Sequence, residues 1–320
     1  MARAAVILAA AAVAAVAAPP ARADGLPVLG ADSGTHRVTS GSGATYGARP
    51  ARRTTTVEKV SPGAGGTLRV TIPGRFVVPV VAYDGAASGL SADGRTLVLI
   101  RPRTQFPERA TTLAILDAGS LRVERFVHMR RDVSFDAISR DGHWVYLIDY
   151  TSKVDPTHYA VRAMDAGTGR LLRRAIVDPH EPDEAMRGNP LARVTSADGR
   201  WAYTLYDGNG HPFVHALDTS RLSARCIDVP AFPANANPFD GRIGIAPDRR
   251  HLLITMHGRT LAMLDTTTLR VTIPGHGAAA RSSDRHDSAG TVGIAFPIAV
   301  AVLLLGAGLV VLRRRAVRPT

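Results

Sequence analysis

The chain has 320 residues, of which 45% are hydrophobic and 21% are charged, and this permits one large domain or two small ones with a sizeable core. The formal net charge is +12, but six of the arginines flank the two terminal apolar runs and no basic run with interleaved aromatic residues occurs, which argues against nucleic-acid binding. The single cysteine, Cys226, excludes an internal disulfide. Its strand-like surroundings predict a small, buried apolar residue.

Residues 1–23 have the pattern of a secretory signal peptide. Arg3 precedes an uninterrupted apolar run, and Ala21-Arg22-Ala23 is an A-x-A cleavage site. Cleavage there predicts a mature chain that begins at Asp24, and an uncleaved N-terminal anchor is the alternative. Residues 24–53 are rich in Gly, Ser, Thr and Ala, which predicts a flexible N-terminal segment.

The middle of the chain, residues 54–275, contains a repeat. Four segments open alike and run into an apolar strand: 91–100, 139–148 and 196–205 begin with Ser-x-Asp-Gly, and 246–255 begins with Ala-Pro-Asp-Arg. A second strand that ends in Asp follows each of them, at Asp117, Asp165, Asp218 and Asp265. The first Asp of each unit recurs at intervals of 48, 57 and 50 residues, close to the period of about 40–50 residues that is typical of a propeller blade.

These units predict an all-β fold, a β-propeller of four-stranded antiparallel blades. Asp-Gly favours a tight hairpin, and a blade must stack on its neighbours because it cannot bury both faces alone. The four repeats cover residues 86–275, and strand-like runs upstream lie at 54–60, 68–72 and 76–82. The upstream runs predict most of a fifth blade. A ring completed by pairing the two chain ends and an open sandwich of the same hairpins are the alternatives.

The units resemble the YVTN-type propeller repeat, in which Ser-Pro-Asp-Gly opens a strand and a V-x-D strand follows. Residues 139–147 with 161–165 match best; Pro after Ser is absent from three of the four units, and Arg249 replaces Gly in the fourth. Residues 201–208 and 212–218 also resemble a group of exported, membrane-anchored propeller proteins of high-GC Gram-positive bacteria. The resemblance implies a fold and a location, and no activity.

The C-terminal part predicts a membrane anchor. Residues 291–312 carry no charge, and at about 1.5 Å per residue a helix of this length spans about 33 Å, enough for a bilayer core of about 30 Å. The basic tail 313–320 follows and should stay in the cytoplasm, whereas an LPxTG-type sortase motif is absent. Residues 276–290 predict a polar tether. The chain is therefore expected to be a single-pass cell-membrane protein with its domain outside; a buried core helix is the alternative.

Candidate functional residues fall on the rim opposite the Asp-Gly turns, where loops vary in length and composition. The candidates for ligation of a divalent metal are His180, Glu181, Asp207, His211 and His257. Solvated loop residues without any metal are the alternative interpretation. Asp136 and Arg193 fall on predicted inner strands and could face a central channel.

The predicted function is an extracytoplasmic, membrane-anchored binding or interaction module without assignable chemistry or a resident cofactor. Its partner would be an extracellular protein, a glycan or a small ligand. The alternative is a metal-assisted hydrolase of the lactonase-like propeller type, which needs several acidic, amide or His groups around the channel. The predicted inner strands offer few acids, which favours the binding module.

Overall fold

The structure, a computed structural model, describes residues 36–275 apart from 183–185 and 247. The predicted signal peptide, tether, membrane helix and basic tail lie outside the described residues: 1–23, 276–290, 291–312 and 313–320. Within the described ranges, no helix combines the length and the hydrophobicity needed to cross a bilayer.

The described residues are all-β and form five antiparallel sheets, called blades I to V in chain order. Blade I contains β1 (Arg37–Thr39), β2 (Thr45–Pro50), β3 (Thr54–Val60) and β4 (Thr67–Pro73). Blade II contains β5 (Thr96–Ile100), β6 (Thr111–Asp117) and β7 (Val123–Met129). Blade III contains β8 (Val133–Ile138), β9 (Trp144–Tyr150), β10 (His158–Asp165) and β11 (Met186–Arg187).

The last two blades are built from the C-terminal part of the described chain. Blade IV contains β12 (Pro190–Thr195), β13 (Trp201–Tyr206), β14 (Phe213–Asp218) and β15 (Ser223–Asp228). Blade V contains β16 (Gly241–Ile245), β17 (His251–Met256), β18 (Arg259–Asp265) and β19 (Val271–Thr272). Short 3₁₀ turns lie at Gly63–Gly65, Gly208–Gly210 and Pro238–Asp240.

The Ser-x-Asp-Gly repeat has a direct structural cause. Ser139 Oγ donates to Asp141 Oδ1 at 2.6 Å and accepts the N–H of Trp144 at 2.9 Å, so one hydroxyl joins the end of β8 to the start of β9. Gly142 supplies the positive φ, +73°, that closes the turn. The same hydroxyl bonds recur at Ser91 and Ser196.

The blades pack face to face in chain order. Each of the four buried apolar clusters combines residues of two consecutive blades; Tyr146 of blade III and Tyr206 of blade IV, for example, share one cluster. Meander sheets that stack successively in this way, four of them with four strands and blade II with three, have the architecture of a β-propeller. The fold class predicted from the repeat is therefore confirmed for the described residues.

Blade I corrects the predicted domain boundary. The sequence predicts a flexible segment at 24–53, whereas β1 and β2 lie inside it and β2 pairs with β3 along its whole length, from Thr45↔Val60 to Pro50↔Thr55. β2 has no apolar run, but Tyr46 and Ala48 are buried against blade II. Among the described sheets, blade I contains only N-terminal strands and blade V only C-terminal strands. No described sheet therefore pairs a strand from one end of the domain with a strand from the other.

The inner strand of blade II is interrupted by a hairpin. Val77 and Leu90 bridge Ile100 and Leu97 of β5, and between them Val80 bridges Ala87. We call residues 80–87 the crossing hairpin. Its tip reaches the inner strand of blade IV: the main-chain N–H groups of Tyr83 and Asp84 donate to the carbonyl groups of Pro190 and Leu191 at 2.9 and 3.0 Å.

Candidate functional site

A cavity of about 430 Å³ lies between the outer strands of blades III and IV. Blade III contributes residues 176–181 and β11, and blade IV contributes the β13–β14 loop, β14 and β15. This volume falls within the range of roughly 300–1,000 Å³ that is typical of ligand pockets. Its wall combines apolar side chains with titratable ones, and we call it the III–IV cavity.

His215 and Cys226 form the inner wall of the III–IV cavity. They are directly opposed in the β14–β15 register, so their side chains lie on the same face of blade IV. Only 1% of His215 is exposed, and burial lowers the pKa of its imidazole to about 4. Cys226 is half-buried, which corrects the expectation of a fully buried residue.

His215 belongs to a row of polar side chains that crosses blade IV. The register places Arg193, Thr204, His215 and Cys226 opposite one another on four successive strands. At the inner end of the row, the guanidinium of Arg193 pairs with the carboxylate of Asp136 in blade III, and both side chains are buried. These two residues therefore lie in the interface between blades and do not line an open channel.

Asp178 fixes one wall of the cavity. This buried carboxylate accepts the N–H groups of His180 and Cys226 at 2.8 and 2.9 Å and the Nε–H of Arg225 at 3.1 Å. Burial raises the pKa of Asp178, but the hydrogen bonds from His180 and Cys226 and the charge of Arg225 together lower it by more, so the net pKa lies below its usual value. Asp178 is therefore ionised at neutral pH and ties the loop of blade III to β15 of blade IV.

The structure brings three of the predicted metal-ligand residues to this cavity or its edge. Glu181 and His211 line it, from blades III and IV respectively. His180 adjoins it, with Nδ1 at 3.1 Å from Asp178 Oδ1. The sequence thus predicted part of the cavity rim.

The other two predicted ligand residues have different surroundings. Asp207 accepts the main-chain N–H and the side-chain amide of Asn189, both at 2.7 Å, and caps a short turn beside the cavity. His257 lies in the β17–β18 turn of blade V, with Nε2 at 3.0 Å from Asp240 Oδ2. Across the described residues, no group of three or more His, Cys, Asp and Glu side chains is arranged to hold a metal, and a divalent metal site stays a prediction.

The sequence pattern does not single out His215, and it predicts Cys226 only as a buried apolar residue. The detectable signal is a His between the apolar residues of the strand Phe213–Asp218, because an isolated polar side chain in a buried strand is more informative than an exposed one. Its pairing with Cys226 depends on the length of the β14–β15 turn, which the repeat pattern does not define.

A second cavity, of about 530 Å³, lies on the side of the Asp-Gly turns. Its wall contains many small side chains, among them Ser40, Ser88, Ser91, Thr195 and Ser196. Such a wall offers hydroxyl and main-chain groups, with His36 and Arg37 as its titratable residues and no carboxylate, whereas the III–IV cavity combines carboxylate, imidazole, guanidinium, thiol and thioether groups. The III–IV cavity is therefore the stronger candidate for a functional site.

No protein-family model matches the chain, and no curated protein matches it. Among solved structures, the β-propeller domain of Myceliophteria thermophila Cps50 (Swd1) is 12% identical, with a TM-score of 0.45, over 75% of this chain and 70% of that chain. An oligogalacturonate lyase in complex with manganese is 10% identical, with a TM-score of 0.44, over 72% and 61% of the two chains. The Dos1 propeller is 10% identical, with a TM-score of 0.41, over 69% and 51%.

Proposed function

We propose that this chain is an extracytoplasmic binding module, anchored in the cell membrane by residues 291–312, and that the III–IV cavity binds its ligand. The observation that carries the proposal is the meeting of apolar and titratable side chains from two blades in one cavity of ligand size. Ligand sites in proteins combine a largely apolar wall with a few convergent polar groups in this way.

The charges of the cavity favour a small, positively charged ligand. Asp178, Glu181 and Asp228 contribute three carboxylates to the lining and Arg187 contributes one guanidinium, while Arg225 pairs with Asp178; the carboxylates still outnumber the guanidinium groups by one. A concave wall with an excess of negative charge raises the local concentration of cations. The apolar side chains of Ile176 and other residues give the ligand a surface to pack against.

The proposed location is supported by the sequence. Residues 1–23 have the pattern of an export signal, and the uncharged run 291–312 precedes the basic tail 313–320. The YVTN-like repeat units and the resemblance to exported, membrane-anchored propellers fit the same location.

A reporter fusion tests the location. Alkaline phosphatase fused after Thr320 should be inactive and a fluorescent protein fused there should fluoresce, while protease added to intact cells should remove the propeller domain. An active phosphatase fusion, or a domain that resists protease until the cells are lysed, would overturn the proposed topology.

A cation panel tests the binding site. The full-length chain in detergent is titrated with Ag(I), Mg²⁺ and n-butylammonium, with n-butanol as the uncharged control, and its melting temperature is followed. A bound cation at about 100 times its Kd should stabilise the fold by about 2.7 kcal/mol. Glu181→Gln combined with Asp228→Asn should weaken the effect, and Asp240→Asn in blade V should not. If no cation raises the melting temperature, the proposed site is wrong.

A further inference from the structure

The inner wall of the III–IV cavity carries donors that are chemically soft. The thioether of Met186 and the thiol of Cys226 both line the cavity, together with the imidazole of His215. Cys226 is the single cysteine of the chain, and Met186 is one of its six methionines. One sulfur-containing residue from each of two blades and one histidine therefore line the same cavity.

The fold brings these donors close together. His215 and Cys226 are direct cross-strand partners, and the Cβ atoms of such pairs lie about 4.5–5.5 Å apart. Met186 approaches from blade III, where it pairs with Tyr159 of β10. The ring of Tyr159 lies 6.0 Å from that of Tyr206, which lies 6.3 Å from the ring of His215, so both walls pack on the same aromatic side chains.

The state of His215 points to a ligand. It is buried and lines the cavity, and neither ring nitrogen has a hydrogen-bond partner among the described residues. Most buried polar side chains in proteins are hydrogen-bonded. A neutral imidazole that faces a cavity with an available lone pair is the form in which histidine binds metals.

We infer that the inner wall of the III–IV cavity binds a soft monovalent metal ion, Cu(I), through Cys226 Sγ, a ring nitrogen of His215 and Met186 Sδ. Thiolate, thioether and imidazole select copper over hard divalent ions. When the metal binds, the Cys226 thiol releases its proton to solvent and a copper–sulfur bond forms, with no change in oxidation state. The inference rests on the proposed function, since it names the cation that the acidic cavity attracts.

This site differs from the divalent site predicted from the sequence. The candidate ligands His180, Glu181, Asp207, His211 and His257 are hard or borderline donors on loops. The soft site instead uses residues on β11, β14 and β15, whose positions are set by strand pairing. Asp178 and Glu181 contribute charge near the metal but are not its ligands.

Silver binding tests the inference, because Ag(I) is a redox-inert analogue of Cu(I). The full-length chain in detergent and chloride-free buffer is equilibrated with Ag(I), and bound metal is measured after gel filtration and by competition with a chelator. We expect one Ag(I) per chain. Cys226→Ser should abolish tight binding, and Met186→Leu should lower the affinity at least about tenfold, since changes that only disturb the orientation of ligands already cost about 10- to 100-fold.

Matched variants distinguish a metal site formed by several ligands from a single thiol that binds Ag(I) alone. Met256→Leu makes the same substitution at a buried methionine of blade V and should leave the affinity unchanged. Met186→Leu keeps the side-chain volume, so the test does not depend on His215→Gln, which alters a buried residue. Wild-type affinity in Met186→Leu would overturn the inference, because Cys226 alone would then hold the metal, and so would Ag(I) binding that survives Cys226→Ser.

The outcomes also separate the inference from the proposed function. If n-butylammonium binds and depends on Glu181 and Asp228 while Ag(I) binding does not depend on Met186, the binding module stands and the copper site falls. If neither cation binds, both fall. Ag(I) binding that needs both sulfur atoms supports both.

Discussion

The guanidinium of Arg193 contacts Asp136 twice, pairing with its carboxylate and donating from Nη1 to its main-chain oxygen at 3.1 Å. The two side chains are 4% and 3% exposed. Their strands, β12 and β8, are the inner strands of blades IV and III. A buried ion pair therefore joins the inner strands of the two blades, in addition to the apolar cluster that they share.

Removing one member of this pair should destabilise the protein strongly. Asp136→Ala or Arg193→Ala leaves an uncompensated buried charge, which costs about 3–5 kcal/mol, whereas replacing both members with apolar residues of similar size is often neutral. We expect the double variant Asp136→Leu/Arg193→Met to be more stable than either single alanine variant. Urea unfolding of all four proteins measures this. A double variant that is less stable than both single alanine variants would contradict this expectation.

Two turn glycines with nearly the same backbone should respond differently to alanine. Gly94 and Gly142 have φ values of +72° and +73°. A Cβ at Gly94 would meet Ser40 Cβ at 3.9 Å, in ordinary contact, whereas a Cβ at Gly142 would overlap Thr96 Oγ1 and Cβ of blade II. Gly94→Ala should cost about 1–2 kcal/mol, the strain of a left-handed residue, and Gly142→Ala should cost more. Equal losses of unfolding free energy would contradict the close approach of the two blades.

The turn of blade V places a non-glycine residue in the left-handed region of backbone conformation. Arg249 occupies the turn position that glycine fills in the other repeats, and it adopts a φ of +57°. Arg249→Gly removes that strain and should stabilise the fold by up to about 1 kcal/mol, because the greater freedom of glycine in the unfolded chain offsets part of the gain. Differential scanning calorimetry measures the change. Arg250→Gly, in the next position, serves as the control and should not stabilise the fold.

His215 should make the fold sensitive to mild acid. Burial lowers the pKa of His215 from 6.5 in the reference state to about 4. Between these values the unfolded chain binds the proton and the folded chain does not, so stability is full above pH 6.5 and falls as the pH drops towards 4. The complete loss is about 3 kcal/mol, from a difference of about 2.5 pKa values at 1.36 kcal/mol each.

Replacement of the imidazole tests this dependence. The free energy of unfolding of His215→Gln should change less than that of the wild type between pH 7 and pH 4.5. His128→Gln, at an exposed position of β7, should keep the wild-type slope. The same slope in His215→Gln would show that other groups cause the acid sensitivity.

The repeat made the strand pattern of the domain predictable, because Ser139, Asp141 and their counterparts serve the same hydrogen bonds in successive blades. Blade I was only partly predictable. Its strand β2 buries Tyr46 and Ala48 but exposes Arg49, and the six residues Thr-Tyr-Gly-Ala-Arg-Pro have the composition of a loop. Its burial depends on blade II, which local sequence does not describe.

The candidate site was predictable at its rim and not at its inner wall. His211 and Glu181 lie on loops, where polar residues draw attention, and both reach the cavity. His215 and Cys226 lie within strands, and their meeting depends on the register of β14 and β15. Met186 enters from the neighbouring blade through a two-residue strand. Contacts that depend on strand register and on packing between blades cannot be predicted from the sequence of a single repeat unit.

The crossing hairpin, residues 80–87, changes how the repeats depend on one another. In repeat arrays where each unit contacts only its neighbours, units fray or are gained and lost nearly independently. Here the hairpin of blade II is hydrogen-bonded to Pro190 and Leu191 of blade IV. These hydrogen bonds fix the spacing between blades II and IV, and only blade III fits between them. Loss of blade III would break both its own interfaces and this bond across it. The repeats are separate units in the sequence, but they should not fold or unfold separately. We expect blades II, III and IV to unfold as one cooperative unit.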